Sequence, residues 1–236
     1  MGSVLTLLVA LPLIPWRVRR IKLCNFYGHT VGRAVMWCAG ATPVVRHPER
    51  LAGSMPAIYV ANHTSTLDAF VSIWLCPYGG CGVFKKEIAN IPFFGQLLRL
   101  SGHLMLDRQN KQKAVEALTD VAALVKRERL GIWIMPEGTR SKDGRLLRFK
   151  TGFVHLAIAT GLPVVPVVLH GAHRLWPLGF PLFAPGPLEV DVLEPIDTTG
   201  WSEATSAEHA EAVRARLDAA LRPDQRALPL PEAVAA

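Results

Sequence analysis

The stretch Asn62-His63-Thr64-Ser65-Thr66-Leu67-Asp68 sets an imidazole and a carboxylate five positions apart. Unperturbed imidazole titrates near neutrality, so it can take a proton from an alcohol. A carboxylate bonded to one ring nitrogen fixes the tautomer and raises the basicity of the other. Along a continuous helix, five residues separate two side chains by ~140°. The pair can therefore meet only if His63 precedes a helix and Asp68 lies in its first turn. Ser65 as N-cap would supply that geometry. A plainer reading is structural. Ser65-x-x-Asp68 resembles a capping box with Asp in place of Glu, which leaves His63 a polar turn residue.

A second group is Met135-Pro136-Glu137-Gly138-Thr139-Arg140, directly after the apolar run GIWIM. Gly138 frees the backbone to turn tightly, and its amide can approach an anion closely. The Arg140 guanidinium matches the geometry of a phosphate, and Thr139 adds a hydroxyl donor. Pro-x-Gly after a strand is also an ordinary turn signal. Asp107-Arg108 closes a third apolar run, as a surface ion pair or as a cation at the same sheet edge. Lys85 follows a short strand pattern, and Lys150 stands just before a helix whose Thr151 and Gly152 amides could face an anion. Cations at several strand ends suggest a phosphate-binding rim, although each alone also suits a solvated surface.

These groups need a scaffold that gathers strand ends. From Pro56 the pattern predicts strands over Ala57–Ala61, Gly82–Phe84, His103–Leu106, Gly131–Met135, Val164–Leu169 and Leu188–Leu193. Helices are predicted over Ser65–Cys76, Phe93–Leu100, Lys111–Arg127, Gly152–Thr160 and Ala204–Leu221. In the third of these, Ala114, Val115, Leu118, Val121, Ala122 and Val125 form an apolar stripe. The alternation predicts an α/β fold, with a mixed, largely parallel sheet flanked by helices. Reactive side chains in such folds are displayed at strand-to-helix turns.

The 236 residues fit one such domain with an N-terminal extension. Residues 1–42 read as membrane-associating helices, 43–222 as the catalytic domain and 223–236 as a loose, proline-containing tail. Val4–Trp16 is an uncharged run, VLTLLVALPLIPW, shorter than the ~20 residues of a spanning helix. No basic stretch precedes it and no A-x-A site follows, so a cleaved signal peptide is not expected. Pro12 and Pro15 would disturb a continuous helix. The basic cluster Arg17, Arg19, Arg20 and Lys22 follows. A helical pattern then puts Leu23, Tyr27, Val31, Ala34, Val35 and Cys38 on one face. Together these suggest a monotopic anchor on an anionic surface. Two helices packed on the domain, or a short span, are the alternatives. Met1–Thr6 also fits the N-myristoylation pattern, which is short enough to arise by chance. The formal charge of +7 favours acidic partners. No basic–aromatic recognition motif supports nucleic acid. Cys24, Cys38, Cys76 and Cys81 lack metal-binding or paired spacing and read as reduced, mostly buried thiols.

NHTSTLD, GHLMLDR, MPEGTR and VVPVVL resemble, in order, the four motifs of the glycerolipid acyltransferases, and in particular the bacterial 1-acyl-sn-glycerol-3-phosphate acyltransferases. FKKEIANIPFFGQLLRLSG and FKTGFVHLA, between them, are also similar, so the resemblance covers roughly Pro56 to Gly171. It implies His63 as general base with Asp68 as its partner. It implies Arg108, Glu137, Gly138, Thr139 and Arg140 at the acceptor site, with Lys85 and Lys150 as phosphate-side cations; Glu137, itself an anion, suits orienting Arg140 or the acceptor glycerol rather than binding phosphate. It further implies an acyl thioester on coenzyme A or acyl carrier protein as co-substrate, a lysophospholipid acceptor, no metal and no other cofactor. The expected location is the cytoplasmic face of a membrane, the inner membrane if the source is bacterial. The sequence departs from the family at Leu104, Leu106 and Met135, which alters apolar packing rather than chemical groups. An apolar groove for the acyl chain is expected from Ala69–Leu75, Ile91–Leu98 and His103–Leu106, with Met105 tuning its depth. The competing readings are a non-enzymatic lipid-binding membrane protein, against which the intact His63 and Asp68 argue, and a nucleic-acid module.

Overall fold

The computed structural model describes residues 15–92, 94–106, 121–177, 179 and 183–228, without the side chains of Lys85, Phe94 and Leu106. The strands are β1 (Pro43–Arg46), β2 (Ile58–Ala61), β3 (Gly80–Lys85), β4 (Leu104–Leu106), β5 (Gly131–Ile134), β6 (Val164–His170) and β7 (Leu188–Val192). The helices are α1 (Arg17–Cys38), α2 (Glu49–Gly53), α3 (Leu67–Leu75), α4 (Phe94–Ser101), α5 (Gly152–Thr160), α6 (Ala172–Leu175) and α7 (Ser206–Ala220). Residues 121–128 are also helical; the rest of the helix expected from Lys111 lies outside the described residues.

Among the described residues the strands form one sheet in the order β1-β7-β6-β2-β5-β3-β4. All neighbours are parallel except β6 and β7, so the sheet is mixed and largely parallel. Alternation along the strands divides the core in two. Ile58, Val60 and Ile132 meet Val121, Val125, Phe153 of α5 and Leu217 of α7 on one face. Tyr59, Ala61 and Trp133 meet Met36 of α1 and Leu67 and Val71 of α3 on the other. Tyr59 and Trp133 are register partners across β2 and β5, and their rings stack at 5.6 Å. The parallel pairing of β2, β5 and β6 points the ends of all three strands the same way, so their following turns share one edge of the sheet.

Strand β1 was not expected. Its four residues alternate between half-buried and exposed, and its pairing comes from β7, far away in sequence. Helices α2 and α6 are too short to leave a period. The C-terminal segment is a correction: Pro223–Gln225 form a tight helical turn and Gln225 is fully buried, so residues 223–228 are not a loose end. Residues 229–236 lie outside the described residues.

Helix α1 packs on the domain, and its buried line differs from the one expected. Ile21, Cys24, Asn25, Gly32 and Met36 are buried, Leu23, Tyr27, Val31 and Val35 are partly covered, and Ala34 and Cys38 are exposed. The glycines decide this rotation. A Cβ at Gly32 would lie 2.6 Å from the Phe70 carbonyl oxygen, so α1 and α3 approach backbone to backbone. Polar ties fix the start and the middle of α1. Arg17 Nε and Arg20 Nη1 donate to the Gly102 and Leu100 carbonyls at 2.9 and 2.7 Å. His29 Nε2 donates to the Cys76 carbonyl at 2.6 Å. Two of the four cations expected to form a basic collar thus bind the domain instead. The outer face carries Trp16, Phe26 and Trp37, which are 50%, 68% and 78% exposed, with Arg19 and Lys22 exposed among them. No helix among the described residues is long and apolar enough to cross a bilayer. The uncharged run before α1 lies almost wholly outside the described residues.

Candidate active site

The turn after β2 is organised by one buried carboxylate. Asp68 is fully buried, and its Oδ2 accepts from the Thr64 and Ser65 amides at 2.5 and 2.7 Å. The same oxygen lies 2.9 Å from His63 Nδ1. His63 precedes α3 and Asp68 is its second residue, which is the one arrangement that lets them meet. The two readings of Asp68 therefore coexist: it holds the turn at the start of the helix and it holds the imidazole. Ser65 does not cap α3 in the expected way, because the helix starts after Thr66; its Oγ accepts from Leu67 N at 3.1 Å and donates to the Trp176 carbonyl at 2.8 Å. With Nδ1 donating to a carboxylate, Nε2 carries the free lone pair, the state a general base requires.

Two neighbours fix this turn to the sheet. Asn62, which sequence reasoning passed over, grips β6 with both ends of its amide: Nδ2 donates to the Leu169 carbonyl at 3.0 Å and Oδ1 accepts from Leu169 N at 2.8 Å. Glu137, from the turn after β5, accepts from His63 N at 2.6 Å through Oε1 and from Leu147 N at 3.0 Å through Oε2. It is 3% exposed, and burial pushes its pKa up to about 8 despite those two amide bonds. Its carboxyl oxygens meet main-chain amides rather than the Arg140 guanidinium, and so clamp two main-chain segments. Ser141 N closes the clamp by donating to the His63 carbonyl at 2.9 Å.

Gly138 adopts a left-handed conformation with φ 72°, which a side chain would strain. The Lys150 side chain lies over it: a Cβ there would fall 3.1 Å from Lys150 Nζ. Arg140 Nη1 donates to Thr66 Oγ1 at 2.7 Å, so the guanidinium stands beside the His63 turn. Thr66 is a second residue the sequence did not single out. Lys85 ends β3, with its side chain outside the described residues, and Arg108 lies wholly outside them.

A cavity of about 550 Å³ opens at these groups. His63, Thr66, Gly138, Thr139 and Arg140 line its polar end. Its wall continues along Ala69 and Ile73 of α3, Val83 and Phe84 of β3, Ile88 and Ile91, to Cys24, Asn25 and Gly28 of α1. The expected groove segments thus contribute Ala69, Ser72, Ile73, Ile91 and His103, but Met105 does not line the cavity; Met135 does. The contribution of α1 was not foreseen, because a wall made by glycine leaves no apolar signal.

Other reactive groups fit a role in the chemistry less well. His103 also lines the cavity, but its Nδ1 faces Gly82 N at 3.3 Å, and burial lowers its pKa to about 4. It is neutral with its proton on Nε2, so it has no lone pair to offer. His170 pairs with Asp191 at 2.9 Å, yet neither lines the cavity. Burial raises Cys76 and Cys81 to about 12 and 11, which keeps both as unreactive thiols and disfavours an acyl-enzyme on either.

The family described as Acyltransferase matches residues 42–170. The chain is 41% identical to the 1-acyl-sn-glycerol-3-phosphate acyltransferase of Cocos nucifera over 208 residues, covering 88% of this chain and 67% of that protein. It is 35% identical to the enzyme of the same name from Escherichia coli over 185 residues, covering 78% and 74%. The crystal structure of the 1-acyl-sn-glycerophosphate (LPA) acyltransferase from Thermotoga maritima superposes with a TM-score of 0.71 at 29% identity, covering 90% of this chain and 85% of that one.

Proposed function

The chain belongs to the acyltransferase family, and from that premise we propose that it moves a fatty acyl group from a thioester to the sn-2 hydroxyl of 1-acyl-sn-glycerol-3-phosphate, giving phosphatidic acid. It is an O-acyltransferase of the 1-acylglycerol-3-phosphate type, an enzyme of phospholipid biosynthesis. The observation that carries the finer reading is the His63–Asp68 pair at the polar end of a mostly apolar cavity, with Arg140 beside it.

In this reaction His63 Nε2 takes the proton of the acceptor hydroxyl as its oxygen attacks the thioester carbonyl. The tetrahedral adduct collapses, the carbon–sulfur bond breaks, and the proton on His63 passes to the departing thiolate. Asp68, desolvated and negative, stabilises the imidazolium that forms between these steps. Arg140 and Lys150 hold the phosphate, and Thr139 donates a further hydrogen bond. Lys85 and Arg108 complete the cationic rim. The donor is acyl-coenzyme A or acyl-acyl carrier protein, and the reaction as proposed uses no metal. The apolar wall takes an acyl chain, because leaving it in water forfeits about 0.8 kcal/mol per methylene.

Residues 1–42 attach the enzyme to an anionic membrane, at its cytoplasmic face. Trp16, Phe26 and Trp37 on the outside of α1 suit the interfacial layer, and Arg19 and Lys22 suit its headgroups. The decisive assay supplies purified protein with a panel of lysolipids and both donor types. Preferred turnover of 1-acyl-sn-glycerol-3-phosphate is the expected result. Faster transfer to a lysolipid without a phosphomonoester would overturn the acceptor assignment.

A further inference from the structure

Gln225 lies well beyond the stretch matched by the acyltransferase family, and its side chain is fully buried. A buried amide is costly unless both ends find partners, and an apolar side chain would fill the space more cheaply. Here both ends are used. Oε1 accepts from Gly171 N at 2.8 Å, where the chain leaves β6 with a φ of 71°. Nε2 donates to the Leu169 carbonyl at 3.4 Å.

Two short routes lead from this residue to His63. The first runs through β6: the Leu169 carbonyl that accepts from Gln225 also accepts from Asn62, the residue before His63. The second runs through the main chain. The Gln225 carbonyl accepts from Leu146 N at 2.8 Å, and the next amide, Leu147 N, donates to Glu137. The other oxygen of Glu137 holds His63 N. The segment is itself secured, since Arg145 Nη1 donates to the Arg226 carbonyl at 3.1 Å and Ala227 N to Asp218 Oδ1 at 2.7 Å.

We propose that Gln225 is a positioning residue for acyl transfer, locking the C-terminal segment onto the two main-chain supports that aim His63, although it touches no substrate. This rests on the reading of His63 as the base. A small misplacement of that ring lowers turnover without weakening binding.

The test uses the full chain in lipid–detergent micelles, with Gln225→Ala, Gln225→Glu and His63→Ala assayed side by side and their melting temperatures recorded. Gln225→Ala is expected to lower kcat roughly ten- to hundredfold below its melting temperature, with both KM values within about twofold. In Gln225→Glu, the ionised carboxylate would face the Leu169 carbonyl with no proton to share, whereas the neutral acid can donate as the amide does. Activity of Gln225→Glu relative to wild type should therefore recover as pH falls. A lowered melting temperature with unchanged kcat and no added pH dependence would overturn the proposal, as would failure of both Gln225 variants to fold. An active His63→Ala would instead sink the reading of the base, whatever Gln225 does.

Discussion

The two ends of the cavity are held by different forces. At the polar end, Asp68, Glu137 and Asn62 tie down the amides or carbonyls of Thr64, Ser65, His63, Leu147 and Leu169. Direction matters there, and a misaligned hydrogen bond weakens steeply. At the far end, α1 meets α3 through Gly28 and Gly32, and the shape of the space is set by how closely two backbones approach. The first end can be disabled by one atom. The second can be reshaped by volume alone, and this contrast yields predictions that separate turnover, binding, selectivity and stability.

The largest effect belongs to His63. His63→Ala should cut kcat by roughly 10²–10⁴-fold, the usual worth of a general base. Its melting temperature should stay near that of wild type, because the side chain is partly exposed and its hydrogen bond is to Asp68, which keeps its two amide partners. Asp68→Asn should lower both turnover and melting temperature, since that carboxylate also holds the Thr64 and Ser65 amides. Full turnover with a lowered melting temperature would leave Asp68 a purely structural residue.

Arg140→Ala should come next. Losing a charge-assisted contact of about 1.5–3 kcal/mol raises the acceptor KM roughly ten- to hundredfold and leaves the donor KM unchanged. Arg140 also binds Thr66, so Thr66→Val is the control. An equal rise in that variant would mean that Arg140 acts through the turn rather than on phosphate.

The same contrast explains what could be read in advance. The His63–Asp68 geometry follows from spacing within a single strand–turn–helix unit, and the Gly138 turn from one residue type. The sheet's core strands and α5 follow from local hydrophobic patterns; α5 spans the expected Gly152–Thr160. Strand β1 and the Gln225 lock depend on partners distant in sequence, and neither leaves a local pattern. Helix α1 is visible in the sequence, but its rotation is not, because its packed face includes glycines and Asn25. Met105 shows the opposite error: an apolar residue next to a motif need not face the cavity, and this one is half-buried on β4 away from the lining.

At the far end, Gly28 and Gly32 should separate selectivity from stability. A Cβ at Gly28 would sit 3.5 Å from Ile73 Cβ, an ordinary contact. Gly28→Phe can therefore project its ring into the cavity and exclude the end of a long chain, at about fourfold in kcat/KM per methylene displaced. Short-chain substrates should be spared. Gly32→Ala, by contrast, forces α1 away from the Phe70 carbonyl and should cost about 1–3 kcal/mol of stability. Unchanged chain preference in Gly28→Phe would show that the acyl chain does not reach α1.

The smallest expected effect is a pH dependence confined to the polar end. Burial lifts Glu137 from an ordinary 4.5 to about 8, with the Asp68 charge adding to the rise. The folded protein therefore binds this proton more tightly than the unfolded chain does. By linkage, the stabilising contribution is fully present below about pH 4.5 and is lost as pH rises through about 8. Glu137→Gln cannot titrate. It also turns an NH2 group toward either His63 N or Leu147 N, so it should be less stable than wild type at low pH. The gap in melting temperature between wild type and Glu137→Gln should thus be widest near pH ~5 and narrow toward pH ~9. Burial also raises the cavity-lining thiols Cys24 and Cys76, to about 11 and 12, but wild type and Glu137→Gln share them, so their linkage cancels from the gap. A gap that does not vary with pH would mean that Glu137 ionises alike in the folded and unfolded chain, and that its two amide bonds offset the cost of burial.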